Sequence, residues 1–264
     1  TVDGSVNYIY QKQENPPKAG LTFSPMFGLY QFPTDDNFAN YNKSNYEKWD
    51  ATRGIYAQNW PYEKNEFSSN QNPYWIAYRN LNERSSNRYI SSFKAKYDFA
   101  KWISLQVRTT LDAYNNRNQA ENYATTDPVA QSTQQGINGS YFTGQGYGTH
   151  LYSDALLLIN TKVSHDFSLE ATLGVTDDRS YDYNTSLSST NQYGLSLANY
   201  FPANNYDETH PLAVGEHEYK SIDQAALATA TIGYKETVFL SATGRNEWAS
   251  TTPDSFFYPS VGLS

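Results

Sequence analysis

Apolar and polar residues alternate with a period of two over several stretches of the chain. Over 89–97 the odd positions read Tyr, Ser, Phe, Ala, Tyr and the even ones Ile, Ser, Lys, Lys, the pattern of a half-covered strand. Downstream, Ile103, Leu105, Val107, Thr109 and Leu111 share one face, opposite Ser104, Gln106, Arg108, Thr110 and Asp112. A five-residue turn over 98–102 places Tyr97 opposite Ile103 and joins the two apolar faces. A second hairpin sets Ala155, Leu157, Ile159 and Val163 beside Leu169, Ala171, Leu173 and Val175 across a turn at 164–168, with Leu156 and Leu158 breaking the alternation. A third sets Ala226, Ala228, Ala230, Ile232 and Tyr234 beside Val238, Leu240 and Ala242 across 235–237. Further strands are expected near 4–10 and from Phe257 onward, about eight in all.

Turns within hairpins are short, whereas the connections between them, 115–150, 177–222 and the one before Tyr89, are long. That asymmetry puts every long connection at one end of an antiparallel meander, as in a transmembrane barrel with short turns on one side and long extracellular loops on the other. Strands of about 9–11 residues suffice to cross a bilayer when tilted. Tyr97, Trp102, Tyr114, Tyr234 and Trp248 fall near strand ends, where interfacial girdles belong. The expected fold is all-β: a partial barrel domain over 1–264 that forms part of a large transmembrane β-barrel. A secreted or surface β-sandwich that binds glycans without transport also alternates, and is the competing reading.

Composition narrows the classes. Only 17% of the 264 residues are charged while 16% are aromatic, with 24 Tyr, 13 Phe and 5 Trp, which argues against disorder. A formal charge of −8 supplies no basic footprint for nucleic acid. The absence of cysteine excludes disulfides and thiolate chemistry. The longest apolar run, 155–159, is far short of the roughly 20 residues a membrane helix needs. The chain opens at Thr1 without a signal-like segment and stops inside a strand pattern at Ser264, so an internal piece of a longer protein is expected.

Gly244, Arg245, Asn246, Glu247, Trp248, Ala249, Ser250 and Thr251, followed by Phe257, Tyr258, Pro259, Ser260 and Val261, resemble the barrel motif of SusC/RagA-type TonB-dependent outer-membrane transporters. Asn72, Pro73, Tyr74 and Trp75 with Asn87 and Arg88 resemble a second segment of that family, and Phe32 with Pro33 a third. The resemblance implies a plugged barrel of about 22 strands in the bacterial outer membrane. It also implies a SusD-like surface lipoprotein partner, energy from the TonB complex through segments not present here, and import of glycan or peptide oligomers.

Candidate chemistry is sparse. His210 and His217 share a stretch with Glu208, Glu216 and Glu218, but no metal-ligand spacing occurs, and His150 and His165 read as loop and turn residues. Gly144, Gly146 and Gly148 read as a loop tip, since neither the strand before nor the helix after a phosphate loop is present. Asp35–Asp36 and Asp177–Asp178 match no calcium loop. No catalytic constellation is found, so neither an enzyme nor a cofactor is expected. Flat aromatic faces suit sugars and peptides, which makes Trp49, Trp60, Tyr74, Trp75, Tyr141 and Tyr147 the candidate substrate contacts. Lys94, Lys96, Arg108, Glu170 and Arg245 are the expected lumen-facing residues.

Overall fold

The structure is a computed structural model that describes residues 1–16, 24–62, 70–127, 137–189, 194–206 and 212–264. In chain order its elements are β1 (Val2–Glu14), α1 (Pro25–Tyr30), a 3₁₀ turn (Phe38–Tyr41), β2 (Glu47–Asp50), β3 (Ile55–Gln58) and α2 (Pro73–Arg79). There follow β4 (Asn80–Ala100), β5 (Ile103–Tyr123), β6 (Gly139–Lys162), β7 (Phe167–Ser188), β8 (Ala213–Tyr234), β9 (Val238–Ala249) and β10 (Phe256–Leu263). One antiparallel sheet of eight strands runs β1-β4-β5-β6-β7-β8-β9-β10 and is not closed, while β2 and β3 form a separate hairpin.

The strands outrun the expected length. β4 to β8 hold 21 to 24 residues each, so 115–123, 139–150, 177–188 and 213–222 are strand rather than loop. Alternation fades there because both faces become polar, yet the backbone ladder continues, since each strand finds its neighbour regardless of side chain. The first tight turn is Lys101–Trp102 with a bulge beside Asp98, so Tyr97 pairs with Leu105 and not with Ile103. The face is kept because the shift is by two residues. The second hairpin closes at Lys162 and Ser168, and the third at Tyr234 and Val238. In that third turn Lys235 and Glu236 adopt positive φ of 49° and 55°, the left-handed twist that a tight hairpin demands.

Burial of the two faces is inverted relative to a water-soluble sheet. Phe93, Tyr97, Val107, Leu173, Val175, Leu240 and Val261 stand exposed on one face, Leu173 at 49%. Ser104, Asp154, Thr176, Ser221 and Ala225 are buried on the other, Asp154 at 3%. Leu156 and Leu158 fall on this polar face, where Leu156 and Leu227 fill the space left by Gly174.

The apolar core of the described residues sits at the long-connection end. Trp75 is fully buried there with Ile76, Ala124 and Leu195. Asn72 caps α2 by accepting from Tyr74 N at 2.9 Å, and its amide donates to the carbonyls of Tyr41 and Asn59 at 2.8 and 3.1 Å. One residue thereby starts the helix and fastens it to the preceding turn and hairpin.

Candidate functional site

The polar face carries a network of ion pairs built from cross-strand neighbours. Arg108 on β5 grips Asp154 on β6 at 2.8 and 2.6 Å and lies over the Tyr152 ring, leaving Asp154 Oδ1 buried with no partner among the described residues. Arg88 on β4 pairs with Asp112 on β5, and His150 on β6 contacts Asp178 on β7 at 2.6 Å. The Tyr114 hydroxyl donates to Asp182. Of the five residues expected inward, Lys96 meets Asp98 at 3.5 Å, Arg245 meets Glu247 at 3.0 Å, and Glu170 accepts from Asn160 at 3.4 Å. Lys94 has no ion pair among the described residues and stands directly opposite Arg108. All five share the face opposite Leu105 and Leu173.

Above this network lies a strip without side chains. Gly144, Gly146 and Gly148 occupy β6, paired to both β5 and β7, so they are strand and not loop tip. Their spacing of two is the strand's own period, which puts all three on the polar face. Neighbours lean over the vacant positions. A Cβ on Gly146 would collide with Asn184 Oδ1, and one on Gly148 would meet Asp182 at 2.6 Å and Tyr114 at 2.7 Å. Glycine is therefore what allows Tyr114 to lie across the strand to Asp182. Tyr114 thus belongs to the polar face and not to an interfacial girdle. At the upper part of the strip opens a cleft of about 610 Å³ lined by Gln11, Gln13, Arg84, Asn116, Asn118, Phe142 and Asn184.

The loop end gathers rings. Trp60 packs with Phe32, Phe38, Tyr41 and Tyr62, while Tyr74 stacks between Phe38 and Tyr78. Asp36 anchors this group by accepting from Tyr41 at 3.0 Å and from Tyr62. The Tyr62 hydrogen bond holds the Asp36 carboxyl below its ordinary range. The other candidate contacts are scattered. Trp75 is buried, with its indole donating to Thr126 Oγ1 at 2.9 Å, and Tyr141 is buried against Ser189. Trp49 is exposed on the β2–β3 hairpin against Tyr56. Tyr147 stands on the apolar face among Tyr181 and Tyr183.

Several residues read as loop are strand residues: His150 and Asp177–Asp178 lie within β6 and β7, and His217 within β8. His210 and Glu208 lie outside the described residues. No group of three or more metal-ligating side chains occurs among the described residues. Gln11, Arg84 and Asn118 escaped the sequence argument, because nothing local marks an amide on a polar face as part of a cleft. The glycine period was a usable signal.

The fold is thus an open antiparallel meander with one polar, ion-paired face and one face of exposed apolar side chains. The sequence matches no protein-family profile and no curated protein. Among solved structures, it is similar to a chain of the RagAB peptide importer. In the open-open state the two are 13% identical over 73% of this chain, with a TM-score of 0.62. In the closed-closed state the identity is again 13% and the TM-score 0.61. A structure of the RagAB peptide transporter aligns at 12% identity and a TM-score of 0.62. This chain spans 21% of the length of those chains.

Proposed function

We propose that this chain is a sector of the outer-membrane barrel of a SusC/RagA-type, TonB-dependent importer of peptide or glycan oligomers, and that it carries cargo rather than catalysing a reaction. The observation that carries the reading is the inverted sheet: aliphatic and aromatic residues exposed on one face, ion pairs, glycines and the buried Asp154 on the other. Such a sheet suits lipid outside and water inside. No second large sheet covers the apolar face among the described residues, as a sandwich would require. The likeness in fold to a peptide importer chain supports the same reading. The SusD-like lipoprotein is proposed to sit on the long-connection end, and the TonB complex to act through segments beyond this sector.

The test is gel mobility of the native parent protein from a membrane fraction, with and without boiling, together with its intact mass. A mass several times 29.9 kDa and a shift on boiling are expected. A water-soluble species near that mass with no shift would overturn the proposal in favour of a complete glycan-binding β-domain.

A further inference from the structure

We infer that the glycine-floored cleft high on the polar face binds a short peptide and holds its free carboxylate through Arg84. The inference rests on the importer reading and names the cargo and its handle.

Charge segregation is the first argument. On the upper rows the acids Glu14, Glu83 and Glu121 fall by register on the opposite face, where Lys12 engages Glu14 and Glu83 at 2.5 and 3.3 Å. Arg84 is exposed in the cleft with no ion pair among the described residues. Lower on the same face, Asp112 and Asp182 are already taken by Arg88 and Tyr114. A guanidinium without a counter-ion, set in a concave polar site, presents a fork of donors that matches a carboxylate.

The rest of the lining selects the ligand. Side-chain amides of Gln11, Gln13, Asn116 and Asn184 offer donors and acceptors together, the complement of a peptide backbone. Asn118 Oδ1 is buried beside the cleft with no partner among the described residues, an acceptor that a ligand N–H would satisfy. Phe142 is the one ring among the cleft residues, which leaves little aromatic surface to seat a sugar. Because Gly144 and Gly146 lack side chains, the Phe142 ring and the Asn184 amide lie flat over the strand, so a main chain resting on the floor meets a ring and an amide. The volume, about 610 Å³, is in the range of small-ligand sites.

The full-length parent in detergent is incubated with a tryptic digest of casein whose carboxylates are either free or methylamidated, and retained peptides are counted by mass spectrometry. About tenfold preference for the free acids is expected, the size of one charge-assisted hydrogen bond. Arg84→Gln should erase the preference while still retaining the amidated peptides. Arg179→Gln, on the opposite face and paired with Asp177 away from the cleft, should leave it unchanged. Equal retention of both digests, or a preference that survives Arg84→Gln, would overturn the inference, as would retention of polygalacturonate oligomers in place of peptides. A heat-modifiable barrel that retains no peptide sinks this inference alone, whereas a soluble parent with no heat shift removes the importer reading as well.

Discussion

Leu173 and Thr172 are adjacent on β7 and point to opposite faces, so the same substitution at each is a test of which side meets lipid. Leu173 lies between Leu157 and Ala228, six residues above Phe167 at the tight-turn end. At about 3.3 Å per residue and a tilt near 40°, that is about 20 Å along the strand and about 15 Å along the barrel axis, close to the midplane of a bilayer core. An arginine at that depth on a lipid-facing surface costs about 2–4 kcal/mol. Thr172 looks into a cleft of about 430 Å³ shared with Glu170, Thr229 and Leu158, where a guanidinium has both room and an acid to meet. Thr172→Arg should therefore change stability by less than about 1 kcal/mol. The assay is guanidinium-driven unfolding of the full-length parent in lipid vesicles, followed by tryptophan fluorescence and by loss of the heat-shifted gel band. Were the apolar face bathed in water, Leu173→Arg at a half-exposed position would cost no more than its neighbour. Equal effects at the two positions would refute the assignment of faces.

Three further outcomes follow from the same structure. Trp75→Ala should cost about 3–5 kcal/mol locally, since the ring is fully buried, and should open 24–62 to protease while the far-ultraviolet signal of the sheet stays in place. Arg108→Ala strands the buried Asp154 carboxylate and should cost about 2–3 kcal/mol, below the usual range for a fully buried pair because Arg108 is half exposed. The double variant Arg108→Ala/Asp154→Ala should recover part of the loss in a chemical-denaturation cycle. Asp36 is held below its ordinary value of 3.8 by the Tyr62 hydroxyl, so its contribution is present above that pH and is lost as pH falls through the lower folded value. Near-ultraviolet circular dichroism of the loop aromatics should thus hold steady down to about pH 4 and change only below it, a transition that Asp36→Asn should remove.

The lower part of the sheet was legible from alternation alone. Leu105, Val107 and Leu173 announce their face because each stands between polar or small residues, and the 235–237 turn lies where that pattern changes direction. The upper part was hidden for the same reason. Over 139–148 glycine, tyrosine, threonine and glutamine leave no hydrophobic contrast to read, although the backbone ladder there is as regular as below. Tyr114 lies near the end of the apolar run, where a girdle residue is expected, but its parity in the strand sends it to Asp182. Trp60 and Tyr74 meet through Phe38, and Asp36 ties Tyr41 to Tyr62, contacts across long sequence distances that no local pattern encodes. The uncompensated Arg84 became visible only once register had assigned the surrounding acids to the other side.

The extension of the ladder above the apolar rows has a mechanical meaning. Over 113–122 strand β5 climbs about 30 Å along its own length, or about 23 Å along the axis at the usual tilt, with both neighbouring strands paired throughout. A wall stitched on both sides cannot fold aside to admit a ligand, because opening it means breaking a whole row of backbone bonds at once. In a closed barrel of the kind proposed above, such a wall would make a stiff chimney, and passage through it would be set by whatever covers the mouth or fills the shaft rather than by bending of the brickwork.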